Sequence, residues 1–149
     1  MFCSLSPSLR RVKFEAFNID VLPVTQKRLT REFLCNLGTT AVFLEHLTIG
    51  IGVKDPHLPS LAHFARLQTV DIANCSACLP LISSLAKLEH LNKLSVNIYE
   101  LTGEGIASCT GFSALVDLWI SGGAGQIPKF LRCITSESRH LQILECMNG

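Results

Sequence analysis

Cys75-Ser76-Ala77-Cys78 is the sharpest reactive spacing in the chain. Two thiols separated by two residues can exchange a disulfide when the first opens a helix, because the helix N-terminus lowers the thiol pKa. Pro80, two residues on, suits a first helical turn. A thiol-active enzyme using Cys75 and Cys78 is therefore one function class. The competing reading is burial, since Cys75 closes the segment Leu67 to Cys75, spaced L-x-x-V-x-I-x-x-C, and the surrounding period is wrong for a dithiol oxidoreductase.

Other chemistry is excluded more directly. As a zinc half-site Cys75 and Cys78 lack a second pair, and His46, His57, His63, His90 and His140 show no ligand spacing. Gly122-Gly123-Ala124-Gly125-Gln126 lacks the G-K-[ST] ending of a phosphate cradle and reads as a strand-to-helix turn. There is no G-x-S-x-G and no carboxylate pair whose spacing forces proximity. No catalytic residue, metal or cofactor is expected.

The segment beginning at Leu67 recurs in shorter form at Leu9, Leu44, Leu91, Leu115 and Leu141, so that successive first leucines stand 35, 23, 24, 24 and 26 positions apart. A period in the low twenties with an L-x-x-L-x-L core is the mark of stacked strand-plus-helix units. Strands are expected near 9–14, 44–49, 67–72, 91–96, 115–120 and 141–146, after an unpatterned lead-in over 1–8. Intervals of this length leave room for the crossover that parallel strands need.

Helices are expected between the strands. Leu29, Phe33, Leu34 and Leu37 give a helical face over 26–37, with Gly38 at the left-handed position just past it. Leu58, Leu61, Phe64 and Leu67 recur every third position, as in a short helix or tight turns. Leu81, Ile82, Leu85 and Leu88 form a stripe behind Pro80, a weak helix is expected near 103–110, and Pro128 opens one carrying Ile127, Phe130, Leu131 and Ile134.

A strand and a helix with one apolar face each leave those faces wet unless a neighbouring unit covers them, so the units must stack. The expectation is an α/β solenoid of about six strand units, with a curved parallel sheet inside and helices outside. Neither end carries a polar cap, and the final strand would expose an edge. That suggests a fragment, or a degenerate member whose full-length relatives continue on one or both sides.

Composition narrows the function classes. Apolar residues make up 48% and charged residues 17%, which excludes a disordered tail. Thirteen basic against twelve acidic residues give no field that implies nucleic acid or anionic membrane. No apolar run reaches the roughly 18 residues of a membrane span, and Pro7 and Arg10-Arg11 interrupt any signal peptide. Seven cysteines, an odd number and scattered, suit a reducing compartment. The sequon Asn74-Cys75-Ser76 then reads as a chance match. The expected location is intracellular, cytoplasmic or nuclear.

These residues resemble the leucine-rich repeat family over 9–146, making 9–149 a leucine-rich repeat domain. Leu101-Thr102-Gly103-Glu104-Gly105-Ile106-Ala107 is similar to the I-T-D-x-G-L-x segment of the cysteine-containing subtype, and Cys75 matches that subtype's cysteine. Phe17, Gly52, Tyr99 and Gly123 stand at the equivalent position in other units. The loose style is similar to fungal F-box and leucine-rich repeat proteins. The resemblance implies a protein-binding module, the substrate-recognition part of an F-box-type ubiquitin-ligase adaptor, reaching ligase components through a segment absent from this chain. No F-box-like segment precedes Leu9. A truncated product without function of its own is a further alternative.

Alternation along the strands assigns the exposed face. If Val70 and Ile72 point into the core, one outward row is Lys13, Thr48, Asp71, Ser95, Trp119, Glu145. The row before it is Arg11, His46, Thr69, Lys93, Asp117, Ile143. Trp119, the only tryptophan, sits between inward Leu118 and Ile120 and is a favoured type of interface anchor; packing against a neighbouring strand is the alternative. The partner expected on this face is another protein.

Overall fold

The computed structural model describes residues 8–15, 36–50, 61–76, 79–107 and 109–148. Six parallel strands pair strictly in chain order: β1 Arg11–Glu15, β2 His46–Gly50, β3 Thr69–Ser76, β4 Lys93–Asn97, β5 Asp117–Gly122 and β6 Ile143–Asn148. Helices α1 Leu79–Ala86, α2 Gly103–Ala107 and α3 Gln126–Thr135 lie between strands, with a 3₁₀ turn at Leu61–His63. The chain is therefore α/β with an all-parallel sheet. The strands of adjacent units pair as neighbours, with no strand inserted between them.

Each strand begins two residues later than the leucine spacing suggests, because the first leucine has a different task. Leu44, Leu67, Leu91, Leu115 and Leu141 each donate their N–H to the carbonyl three residues back, at 3.0–3.4 Å, closing the turn that precedes the strand. The next two N–H groups cross to the preceding unit. Glu45 and His46 both donate to the Arg10 carbonyl, and Gln68 and Thr69 to that of Glu45. Asn92 and Lys93 use Gln68, Val116 and Asp117 use Asn92, and Gln142 and Ile143 use Val116. The ladder starts only after this shared acceptor.

The core lies on one side of the sheet. Leu47, Val70, Leu94 and Leu118, and after them Ile49, Ile72, Val96 and Ile120, are buried in one cluster with the helix side chains Ile82, Leu85, Ile106, Ile127, Phe130 and Ile134. Leu61, Phe64 and Leu67, spaced by three, are all buried around the 3₁₀ turn, whose three-residue period brings such positions onto one side. Phe112 stacks obliquely on Phe130 at 6.2 Å between centroids. Buried Ser84 and Ser138 donate to the carbonyls of Leu81 and Phe112.

Two local expectations differ. Leu29, Phe33 and Leu34 lie outside the described residues, as does Leu58. The helical run present at 36–40 continues through Gly38, so Gly38 is a helix residue and not the left-handed residue after one. Its backbone is not in the positive-φ region; Ala41 and Leu44 carry the turn onward instead, the Ala41 N–H reaching back to Leu37. The helix near 103–110 stops at Ala107 and is capped by Thr102, whose hydroxyl accepts the Gly105 N–H at 3.1 Å.

Gly111 and Phe112 form the tightest joint between units. Gly111 has φ +118°, Phe112 has φ 62°, and the Phe112 N–H donates to the Ala86 carbonyl at the end of α1. A Cβ on Gly111 would lie 2.5 Å from that same oxygen. Gly111→Ala is expected to cost about 2 kcal/mol or more, read as a lower urea midpoint. Gly125→Ala has open space and an ordinary helical backbone, and should change stability by less than about 1 kcal/mol.

Candidate functional site

The sheet register aligns both outward rows. Arg11, His46, Thr69, Lys93, Asp117 and Ile143 are successive Cα partners across the six strands, and so are Lys13, Thr48, Asp71, Ser95, Trp119 and Glu145. None of the twelve is buried; His46, Thr48, Thr69, Asp71, Ser95, Asp117 and Trp119 are half-buried and the rest exposed. Parallel neighbours stand about 4.8 Å apart, so the rows make one continuous face opposite the core. Trp119 lies between Ser95 and Glu145, while Leu118 and Ile120 beside it are buried.

The face has internal electrostatic order. The Lys93 ammonium meets the Asp117 carboxylate at 2.8 Å. That hydrogen bond, then the Asp117 charge, holds the Lys93 pKa above its usual value; Glu145 and Asp71 add to the effect, and burial opposes it. At the other end Arg10 and Glu45, at the positions just before the strands, pair at 2.6 Å. A mixed-charge surface of this kind presents hydrogen-bonding groups and one aromatic ring to a partner. It gathers no nucleophile and base.

Asp71 has a second task. Its carboxylate accepts the Ala73 N–H at 3.2 Å, and the β3–β4 register then shifts, with Ile72 opposite Val96 but Ser76 opposite Asn97. β3 thus runs to Ser76, four residues past the expected end, with an irregularity at Ala73 to Cys75. Asn97 makes the same local bond to the Tyr99 N–H where β4 ends. Short acidic and amide side chains take backbone donors from the ladder in this way.

Cys75 is consequently a strand residue, and α1 starts at Leu79; Cys78 lies outside the described residues. This placement does not put Cys75 at a helix N-terminus. In the glycine run, the Gly123 N–H is taken by the Gln126 side-chain oxygen at 2.8 Å, while Gln126 Nε2 donates to the Tyr99 and Leu101 carbonyls at 3.0 and 2.8 Å. A Cβ on Gly122 would lie 2.7 Å from Ile98. The run is a packed joint, with its donor already used. Gln126 was not visible as a key residue from spacing, although a glutamine three residues after a helix-start glycine is half of a capping box.

No group of three or more His, Cys, Asp or Glu among the described residues could hold a metal ion. Nor is any helix among them long and apolar enough to cross a membrane. Neither a protein-family model nor a curated protein matches the chain.

Folding raises the Lys93 pKa above 10.5. Its contribution to stability is therefore fully present below that pH and is lost as pH rises through the higher folded value. Asp117→Asn should lower the Lys93 titration midpoint, followed by NMR of its side chain, and cost less than about 1 kcal/mol at neutral pH because the pair is exposed. Thiol labelling should separate the cysteines equally clearly. Cys109 is buried, its thiol donates to the Gly105 carbonyl, and burial, with a smaller effect of Cys133, pushes its pKa up to about 11. Exposed Cys146 should be modified in the native state and Cys109 only on unfolding, as resolved by mass spectrometry.

Proposed function

We propose that this chain is a leucine-rich repeat solenoid that binds another protein through the parallel-strand face carrying Trp119. The observation that carries the reading is the alignment of twelve unburied residues from six strands in two unbroken rows. A face held by the sheet backbone needs little ordering on association, which leaves more of the contact energy for affinity. The half-buried tryptophan offers a large apolar area near hydrogen-bonding neighbours, the combination found in interface anchors.

Within this reading the module is the substrate-recognition part of an F-box-type ubiquitin-ligase adaptor, working from the cytoplasm or nucleus. That step rests on the resemblance of the repeats, with Leu101 to Ala107 and Cys75 as its most specific residues. Ligase components would be reached through a segment outside these 149 residues.

Affinity capture from host extract tests both parts, with wild type and Trp119→Ala compared after circular dichroism shows each bait folded. A partner held by wild type should fall by about tenfold or more with the variant, as for an anchor worth roughly 1.4–2 kcal/mol. Equal capture by both baits would remove Trp119 from the interface. Ligase components in the wild-type fraction would favour the adaptor; a reproducible partner set without them would leave a binding module of another kind.

A further inference from the structure

The open edge of β6 is the least satisfied surface among the described residues. β6 pairs only with β5, and β1 at the opposite edge only with β2. Leu144 continues the buried row of Leu47, Val70, Leu94 and Leu118, yet is 44% exposed where those four are at 0–1%. Ile143 and Met147 on the other face are 49% and 57% exposed. The Ile143 N–H is directed to β5, so alternation turns the Leu144 N–H toward the open side. An edge with apolar side chains and unpaired backbone groups is a template for another strand.

We propose that a second copy of this chain docks head to tail on that edge, its β1 continuing the parallel sheet from β6. The internal register, carried one step further, sets the contact. It places Leu144 beside Val12 on the core side, and Ile143 beside the aliphatic stem of Arg11 and Glu145 beside Lys13 on the outer face. The Gln142 carbonyl occupies the place of the shared acceptors Arg10, Glu45, Gln68, Asn92 and Val116, ready for the N–H groups of Arg10 and Arg11 from the next copy. Charge selects this arrangement over antiparallel pairing of two β6 strands. Centring the two-fold axis on Glu145, the register that pairs Leu144 with Cys146, sets two carboxylates against each other. The head-to-tail contact is heterologous and does not close, so assembly continues beyond two chains. A single-strand contact is small, so association is weak.

Sedimentation velocity over a concentration series tests this with the wild-type chain and with Glu145→Lys and Lys13→Glu, each checked for native circular dichroism. The wild-type weight-average sedimentation coefficient should climb with concentration without levelling at a dimer. Either reversal puts like charges across the contact and should move that climb to about fivefold higher concentration or more. Equimolar mixing of the two variants restores opposite charges at both ends and should restore assembly. A wild-type monomer throughout the series would overturn the proposal, as would a dimer indifferent to Lys13→Glu or a loss not recovered on mixing. Trp119→Ala, which alters the proposed binding face, should leave the series unchanged, keeping this test separate from that reading.

Discussion

The backbone carbonyl that accepts two N–H groups from the next unit is the bond on which the arrangement depends. It recurs at Arg10, Glu45, Gln68, Asn92 and Val116, always one residue after the first leucine of the segment. A strand that slips by one residue would send its apolar set to the wrong face. The shared acceptor and the buried leucine before it work against that slip from two sides, one through backbone hydrogen bonding and one through burial. Once each unit is fixed to its predecessor in this way, the outward rows align without any requirement on the outward side chains themselves.

That separation of tasks explains what the sequence revealed. Leucine spacing carries the strand count, the parallel pairing and the membership of both outward rows, because it reports the period-2 alternation that also decides burial. It misplaces the strand starts by two residues because Leu44, Leu67, Leu91 and Leu115 are buried as turn-closing residues, and apolar periodicity does not distinguish a buried turn from a buried strand. Gly38 was misread for a related reason: a glycine after an apolar stripe resembles a helix end, but the turn that ends this helix is closed by Ala41 and Leu44.

What was not legible is carried by single polar side chains. Gln126 holds the β4–α2 connection to the start of α3 through three hydrogen bonds, and nothing periodic marks it. Asp71 was singled out for its outward position, which the register supports, but its bond to Ala73 also ends the regular pairing of β3 with β4. Irregularity at Ala73 to Cys75 is why the thiol pair could not be judged by spacing alone. Whether Cys75 opens a helix depends on where the strand ends, and that was set by a carboxylate four residues earlier.

The outward face is built by the same alternation as the core, yet it is under different constraints. Leu118 and Ile120 are buried and must keep their volume, since a cavity there would cost several kcal/mol (roughly 2–5 for truncation to alanine). Trp119 between them is constrained only by its neighbours Ser95 and Glu145 on the sheet surface. A large aromatic ring at such a position loses apolar contact with no gain to the core, whereas Thr48 and Ser95 in the same row show that small polar residues satisfy the sheet. The cross-strand pair Lys93–Asp117 offsets part of its own charge locally, leaving the ring and its polar neighbours as the part of the face whose composition packing does not dictate. That is the physical basis for placing recognition at Trp119 ahead of the rest of the rows.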